Sequence, residues 1–135
     1  MVLVILALAV ALVPPLFRAA VPSARLKAAA HDLAGSLRLV RTFAVSRGKA
    51  AELSLDPESA MYRFPASPRP RSLPRGVEVS SQAGRQRASR PAQLVFTFFP
   101  DGSSLGGTAR LSAGEHAYVV EVDPVRGAVR VRPAG

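Results

Sequence analysis

Chemistry-bearing side chains are sparse and badly spaced for catalysis. The chain has two histidines, His31 and His116, and no cysteine, so a disulfide framework and a thiolate metal site are both ruled out. His116 can be grouped on paper with Asp123 and Ser103 or Ser104 as base, orienting acid and nucleophile, but nothing in the spacing favours that grouping. No Gly-x-Ser-x-Gly elbow, Walker loop, paired-histidine zinc motif or Gly-x-Gly-x-x-Gly occurs. Asp101-Gly102-Ser103-Ser104 opens like a calcium loop, yet lacks the alternating carboxylates and distal glutamate such a loop needs. It reads as a hairpin turn, and both histidines read as solvated surface groups. No catalytic residue, metal or cofactor is expected.

Charge is the other source of chemistry. Eighteen basic residues face nine acidic ones, for a formal net charge of +9, a balance that draws a protein toward nucleic acid, anionic lipid or an acidic partner. Two clusters stand out. Arg69, Arg71, Arg75, Arg85, Arg87 and Arg90 lie in a Pro- and Ser-rich stretch whose one acid is Glu78, and Arg126, Arg130 and Arg132 lie near the C-terminus. Phosphate contacts suit arginine, but stacking aromatics are not interleaved with either cluster, as a single-strand platform requires. Solvated surface charge is the simpler reading, and sixteen Arg against two Lys also fits the codon bias of a GC-rich genome.

The elements that must carry these residues begin with an uncharged run, Met1 to Phe17. Thirteen apolar residues precede Pro14-Pro15, fewer than the roughly 20 needed for an unbroken membrane span, and no basic residue precedes the run as a secretory signal requires. A retained membrane or filament-core helix is expected, carried by Val2, Leu3, Val4, Ile5, Leu6, Leu8, Val10, Leu12 and Val13. A buried core helix, or a segment cleaved near Ala28-Ala29-Ala30, is the alternative. An upstream basic leader and the first part of the helix are expected ahead of Met1.

From Ser23, a candidate N-cap, the residues Leu26, Ala30, Leu33, Leu37, Val40 and Ala44 recur at alternating intervals of four and three. That is an amphipathic stripe, with Leu26, Leu33, Leu37 and Val40 expected to pack on a sheet and Gly48 as the stop. The pattern divides the chain into an apolar helix (1–22) that bends near its prolines, an amphipathic helix (23–48) and a β domain (49–135) with a Pro/Arg-rich loop (65–91).

Within that domain the period changes to two. Ala51–Leu55 and Ala60–Phe64 form a hairpin about Asp56-Pro57-Glu58-Ser59, and Gly76–Val79 is a short strand in an otherwise loop-like stretch. Leu94–Phe99, Leu105–Leu111, His116–Val122 and Ala128–Arg132 are expected to form one antiparallel meander. Pro100-Asp101-Gly102 makes a turn by backbone preset, side-chain acceptor and positive φ, and Gly106-Gly107 weakens or bulges the strand that follows. Val129 and Val131 should face inward and Arg130 and Arg132 outward. The fold class is α+β, a long N-terminal helix laid on an antiparallel sheet.

Two segments together resemble a known family. The opening MVLVILALAVALVPP is similar to the N-terminal helix of type IV pilin-like proteins after their Gly-Phe-Thr-Leu-x-Glu leader junction. Phe96–Ser104, Gly106-Gly107 and Val122–Val129, with the turn motif Pro100, Asp101, Gly102, Gly106 and Gly107, resemble the C-terminal half of the GspH/FimT family of minor pilins and pseudopilins. The resemblance implies a minor pseudopilin of the bacterial type II secretion system. Such a protein is anchored in the inner membrane by a single pass with its C-terminal domain in the periplasm. It is cleaved and methylated by a prepilin peptidase, and assembled with other pseudopilins through its N-terminal helix.

The leader, the junction and the acidic residue that follows it are absent from the sequence, so no processing site or acidic assembly residue is carried over. Arg18, Arg25 and Lys27 as written would favour a cytoplasmic body, and a basic leader upstream would oppose them. The alternative within the family is a type IV minor pilin involved in pilus assembly or DNA uptake. Its DNA-binding branch carries Gly-Arg-x-Arg near the C-terminus, where this chain has Gly127-Ala128-Val129-Arg130 without the first arginine. Contact of Arg126, Arg130 and Arg132 with nucleic acid is therefore the lesser expectation. A membrane-anchored enzyme would need a catalytic cluster, and a solute-binding lipoprotein a lipobox cysteine.

Overall fold

The computed structural model describes the backbone of residues 2–81 and 93–134, and side chains in 23–81 and 93–134. Among the described residues one α-helix, α1 (Val2–Arg47), precedes eight strands: β1 (Ala51–Asp56), β2 (Met61–Arg63), β3 (Arg71–Ser72), β4 (Glu78–Ser81), β5 (Leu94–Phe98), β6 (Gly107–Ala113), β7 (His116–Val122) and β8 (Val129–Pro133). The helix assignment runs through Ser23, which is an interior helical residue and not an N-cap. Extending a helix already formed is far easier than nucleating a new one. Gly48 closes α1 at φ 65°, and the Lys49 amide donates to the Ala44 carbonyl at 3.3 Å, the six-to-one bond of a glycine C-cap.

The expected single meander is two sheets, ordered β3-β2-β1-β5 and β4-β6-β7-β8. β5 does not continue into β6. It pairs antiparallel with β1, setting Ala51 against Phe98, Leu53 against Phe96 and Leu55 against Leu94, and keeps only an isolated bridge from Phe98 to Ser104 on the β6 side. Gly106 and Gly107, at φ 76° and 149°, take the chain from one sheet to the other in conformations that L side chains rarely adopt. A Cβ on Gly107 would stand 2.8 Å from Phe96 Cε1, so the crossing lies hard against the core. β3, which the sequence reading leaves as loop, has two residues and no period to detect. It is held by pairing with β2, by the Leu73 amide donating to the Ala60 carbonyl at 2.8 Å and by the Arg71 guanidinium 5.6 Å above the Phe64 ring.

Both sheets turn one face to α1. Leu53, Leu55, Phe96 and Phe98 from the first sheet and Ala109, Leu111, Val120, Val122 and Val129 from the second join the helix residues in one core. Leu26, Ala30, Leu33, Leu37, Val40 and Ala44 are each 0% exposed. Ala29, Ala30, Ala34 and Ala44 are buried in the same core. On the outer face of the second sheet Val119 is buried as well. It lies between Arg110 of β6 and Arg132 of β8, whose methylene stems are long enough to shield it while their charges stay in water.

Candidate functional site

The Pro100-Asp101-Gly102 turn comes together with the last turn of the chain on the flank of α1. Asp101 shapes the first turn: its Oδ1 accepts from the Ser103 hydroxyl at 2.6 Å and the Ser103 amide at 3.0 Å, and these bonds hold the carboxyl below its ordinary pKa. Asp123 does the same in the second turn, accepting from the Val125 amide at 2.9 Å. The two turns are then tied together. The Ser104 amide donates to the Pro124 carbonyl at 3.0 Å, its hydroxyl donates to the Asp123 carbonyl at 3.1 Å, and that hydroxyl accepts from the Gly106 amide at 2.9 Å. Ser104 is buried by this, and its hydroxyl is engaged by backbone groups at Asp123 and Gly106 instead of by an imidazole.

Two arginines of the helix lock the pair of turns in place. Arg41 Nε donates to the Gly102 carbonyl at 3.0 Å and Arg38 Nη2 to the Val129 carbonyl at 3.0 Å. Gly102 and Gly127 have φ 88° and 65°, and a Cβ on Gly127 would collide with the Gly102 carbonyl oxygen. The glycines are therefore required twice, once for backbone conformation and once for contact. Sequence reading placed Arg38 and Arg41 off the apolar stripe and gave them no role. Nothing in helical periodicity marks an arginine that reaches a carbonyl 61 or 91 residues away.

The remaining candidates are dispersed. His31 and His116 are exposed. Among the described residues no group of three or more His, Cys, Asp or Glu side chains that could hold a metal ion occurs. Arg126 lines a shallow groove with Arg38, Arg41, Thr42, Gly127, Ala128 and Val129. Arg130 and Arg132 are on β8, where Arg130 sits opposite Glu121 and Arg132 Nε lies 3.8 Å from Glu121 Oε2. Arg69, Arg71 and Arg75 are exposed, and Arg85, Arg87 and Arg90 fall outside the described residues. Leu26, Leu33, Leu37 and Val40 lie in the core beneath the sheets. The side chains Val2, Leu3, Val4, Ile5, Leu6, Leu8, Val10, Leu12 and Val13 fall outside the description; among the described residues no helix is long and apolar enough to cross a membrane.

Comparison with known proteins places this architecture. Residues 29–126, from the buried stripe of α1 to the final turn, match the family described as Type II transport protein GspH. The chain is 31% identical over 133 residues to type II secretion system protein H of Xanthomonas campestris pv. campestris, covering 98% of this chain and 78% of that protein. Among solved structures, the minor pseudopilin EpsH from the Type 2 Secretion System of Vibrio cholerae superposes with a TM-score of 0.65 at 13% identity, covering 82% of this chain and 98% of the other. The type IV minor pilin FimU of Pseudomonas aeruginosa superposes less closely, with a TM-score of 0.57 at 17% identity over 82% of this chain and 88% of the other. At those identities the structural likeness is one of fold. The matched family and the relative's identity carry the assignment: this chain belongs to the GspH family of type II transport proteins.

Proposed function

We propose that the chain serves as a minor pseudopilin of the type II secretion pathway, a structural subunit of a periplasmic pseudopilus, with no catalytic step of its own. One observation carries this beyond the family match. The buried stripe of α1, Leu26 to Ala44, is fully occupied by the chain's own two sheets, while the same helix extends N-terminally to Val2 through a stretch, Val2 to Phe17, with no charged residue. Uncharged helix surface exchanges lipid for the surface of a neighbouring helix at little solvation cost. Val2 to Val13 thus serve as part of the inner-membrane anchor before assembly and as part of the contact with other pseudopilins after it, and the β domain is carried in the periplasm. Nucleic acid is the weaker partner, because Glu121 stands beside both Arg130 and Arg132 and interrupts a phosphate track.

The test is complementation of a strain that lacks this chain, reading export of the secreted proteins. The unaltered chain should restore export. Leu8→Arg, which places a charge in the apolar run and leaves the β domain untouched, should abolish it without lowering the amount of protein. Full export with Leu8→Arg would overturn the proposal.

A further inference from the structure

The groove between α1 and the two joined turns has the makings of a binding surface. Its lining carries three guanidinium groups, Arg38, Arg41 and Arg126, and no carboxylate. All nine acidic residues of the chain are among the described ones, and none of their carboxylates lies within 4.0 Å of these three arginines. None of these arginines is ion-paired, and the nearby carboxylates in the two turns are taken up locally, Asp101 by the Ser103 hydroxyl and amide and Asp123 by the Val125 amide. Arg38 and Arg41 are fixed through one N–H each to the Val129 and Gly102 carbonyls. Each guanidinium has five N–H donors, so most remain for a ligand, and the fork is already held in position, which lowers the ordering cost of binding. Val125 immediately precedes Arg126 in the chain and Leu105 immediately follows Ser104, and they are the two most exposed large aliphatic side chains among the described residues, at 79% and 68%. They are on the two turns that the Ser104–Pro124 hydrogen bond joins.

We propose that this groove docks an acidic segment of a different polypeptide, its carboxylates on Arg41 and Arg126 and its aliphatic side chains on Val125 and Leu105. The inference rests on the assembly role above, which supplies neighbouring subunits as partners. A second copy of this chain is a poor occupant, since each copy carries a formal charge of +9 and copies repel. Nucleic acid fits the arginines but not their surroundings, where the flanking groups are aliphatic and no aromatic ring lines the groove for a base to stack on.

The experiment uses the full chain in neutral detergent and reads fluorescence anisotropy of a labelled peptide of alternating Leu and Glu, its Leu/Gln twin, and a 12-base-pair DNA as competitor. Arg126 is exposed and donates no side-chain hydrogen bond among the described residues, so Arg126→Glu leaves the fold standing; circular dichroism checks this, and Val125→Asp is the second variant. The acidic peptide should bind at low salt at least tenfold more tightly than the twin and at least fivefold more tightly than it binds Arg126→Glu or Val125→Asp, and in the strain lacking the chain Arg126→Glu should reduce export. Equal binding of the two peptides, binding unchanged in both variants, or DNA displacing the peptide at lower concentration than unlabelled peptide does would each overturn the proposal. If the peptide fails to bind while unaltered chain and Arg126→Glu both restore export, the docking site is wrong and the pseudopilin reading stands. If the unaltered chain restores no export, it is the pseudopilin reading that fails, whatever the peptide does.

Discussion

Arg41 on the helix donates through Nε to the carbonyl of Gly102, 61 residues further along the chain, at 3.0 Å. Gly102 is buried, so this bond satisfies a carbonyl that has poor access to water. Arg41→Ala should cost about 1–3 kcal/mol of folding stability, the penalty for leaving a buried acceptor without its partner. Arg41→Lys should recover only part of that, because an ammonium does not reproduce the fork. Urea midpoints of the three proteins measure it.

The neighbouring turn gives a sharper contrast between two glycines. Gly114 has φ 60° and open space around its missing Cβ, whereas Gly127 has φ 65° and the Gly102 carbonyl in the way. Gly114→Ala should cost about 1 kcal/mol from backbone conformation alone, and Gly127→Ala at least about twice that. Equal losses in thermal unfolding would show that the two turns do not touch in solution.

Leu33 and Leu37 lie wholly within the core, while Leu39 on the same helix is 50% exposed. Truncating either buried leucine to Ala should cost about 2–5 kcal/mol through lost burial and the cavity left behind. Leu39→Ala should stay within about 0.5 kcal/mol. Chemical denaturation of the three variants decides whether α1 is seated on the sheets as described.

Ser36 sits on the buried side of α1 at 1% exposure, and its hydroxyl has no hydrogen-bond partner among the described residues. An unpaired buried hydroxyl costs stability rather than supplying it. Ser36→Ala should therefore leave the melting temperature unchanged or raise it. A fall of several degrees would mean that the hydroxyl is bonded after all.

Asp101 gives the fold an acid-side dependence. The Ser103 hydroxyl, then the Ser103 amide, lower its pKa in the folded protein. A depressed carboxyl contributes stability above its unfolded value, and that contribution is lost as the pH falls through the folded one. Asp101→Asn should be the less stable protein at neutral pH, and its curve should meet that of the unaltered chain as the pH drops below about 4. A stability difference independent of pH would remove the ionised turn from the account.

What the sequence by itself determined is whatever is local or periodic. The stripe from Leu26 to Ala44, the Gly48 stop, the alternation of β1 and β8 and the Pro100-Asp101-Gly102 turn follow from spacing and backbone preference within a few residues, and the motif residues pointed to the family. Tertiary structure alone decided which strands are partners, because Phe96 and Phe98 satisfy the same pattern against β1 as they would against β6, and period two carries no address. Only the folded chain could show that Arg38 and Arg41 reach the carbonyls of Val129 and Gly102. A hydrogen bond to a backbone carbonyl leaves no mark on the sequence of the residue that accepts it, so the groove those arginines line with Arg126 exists only once helix and turns have met.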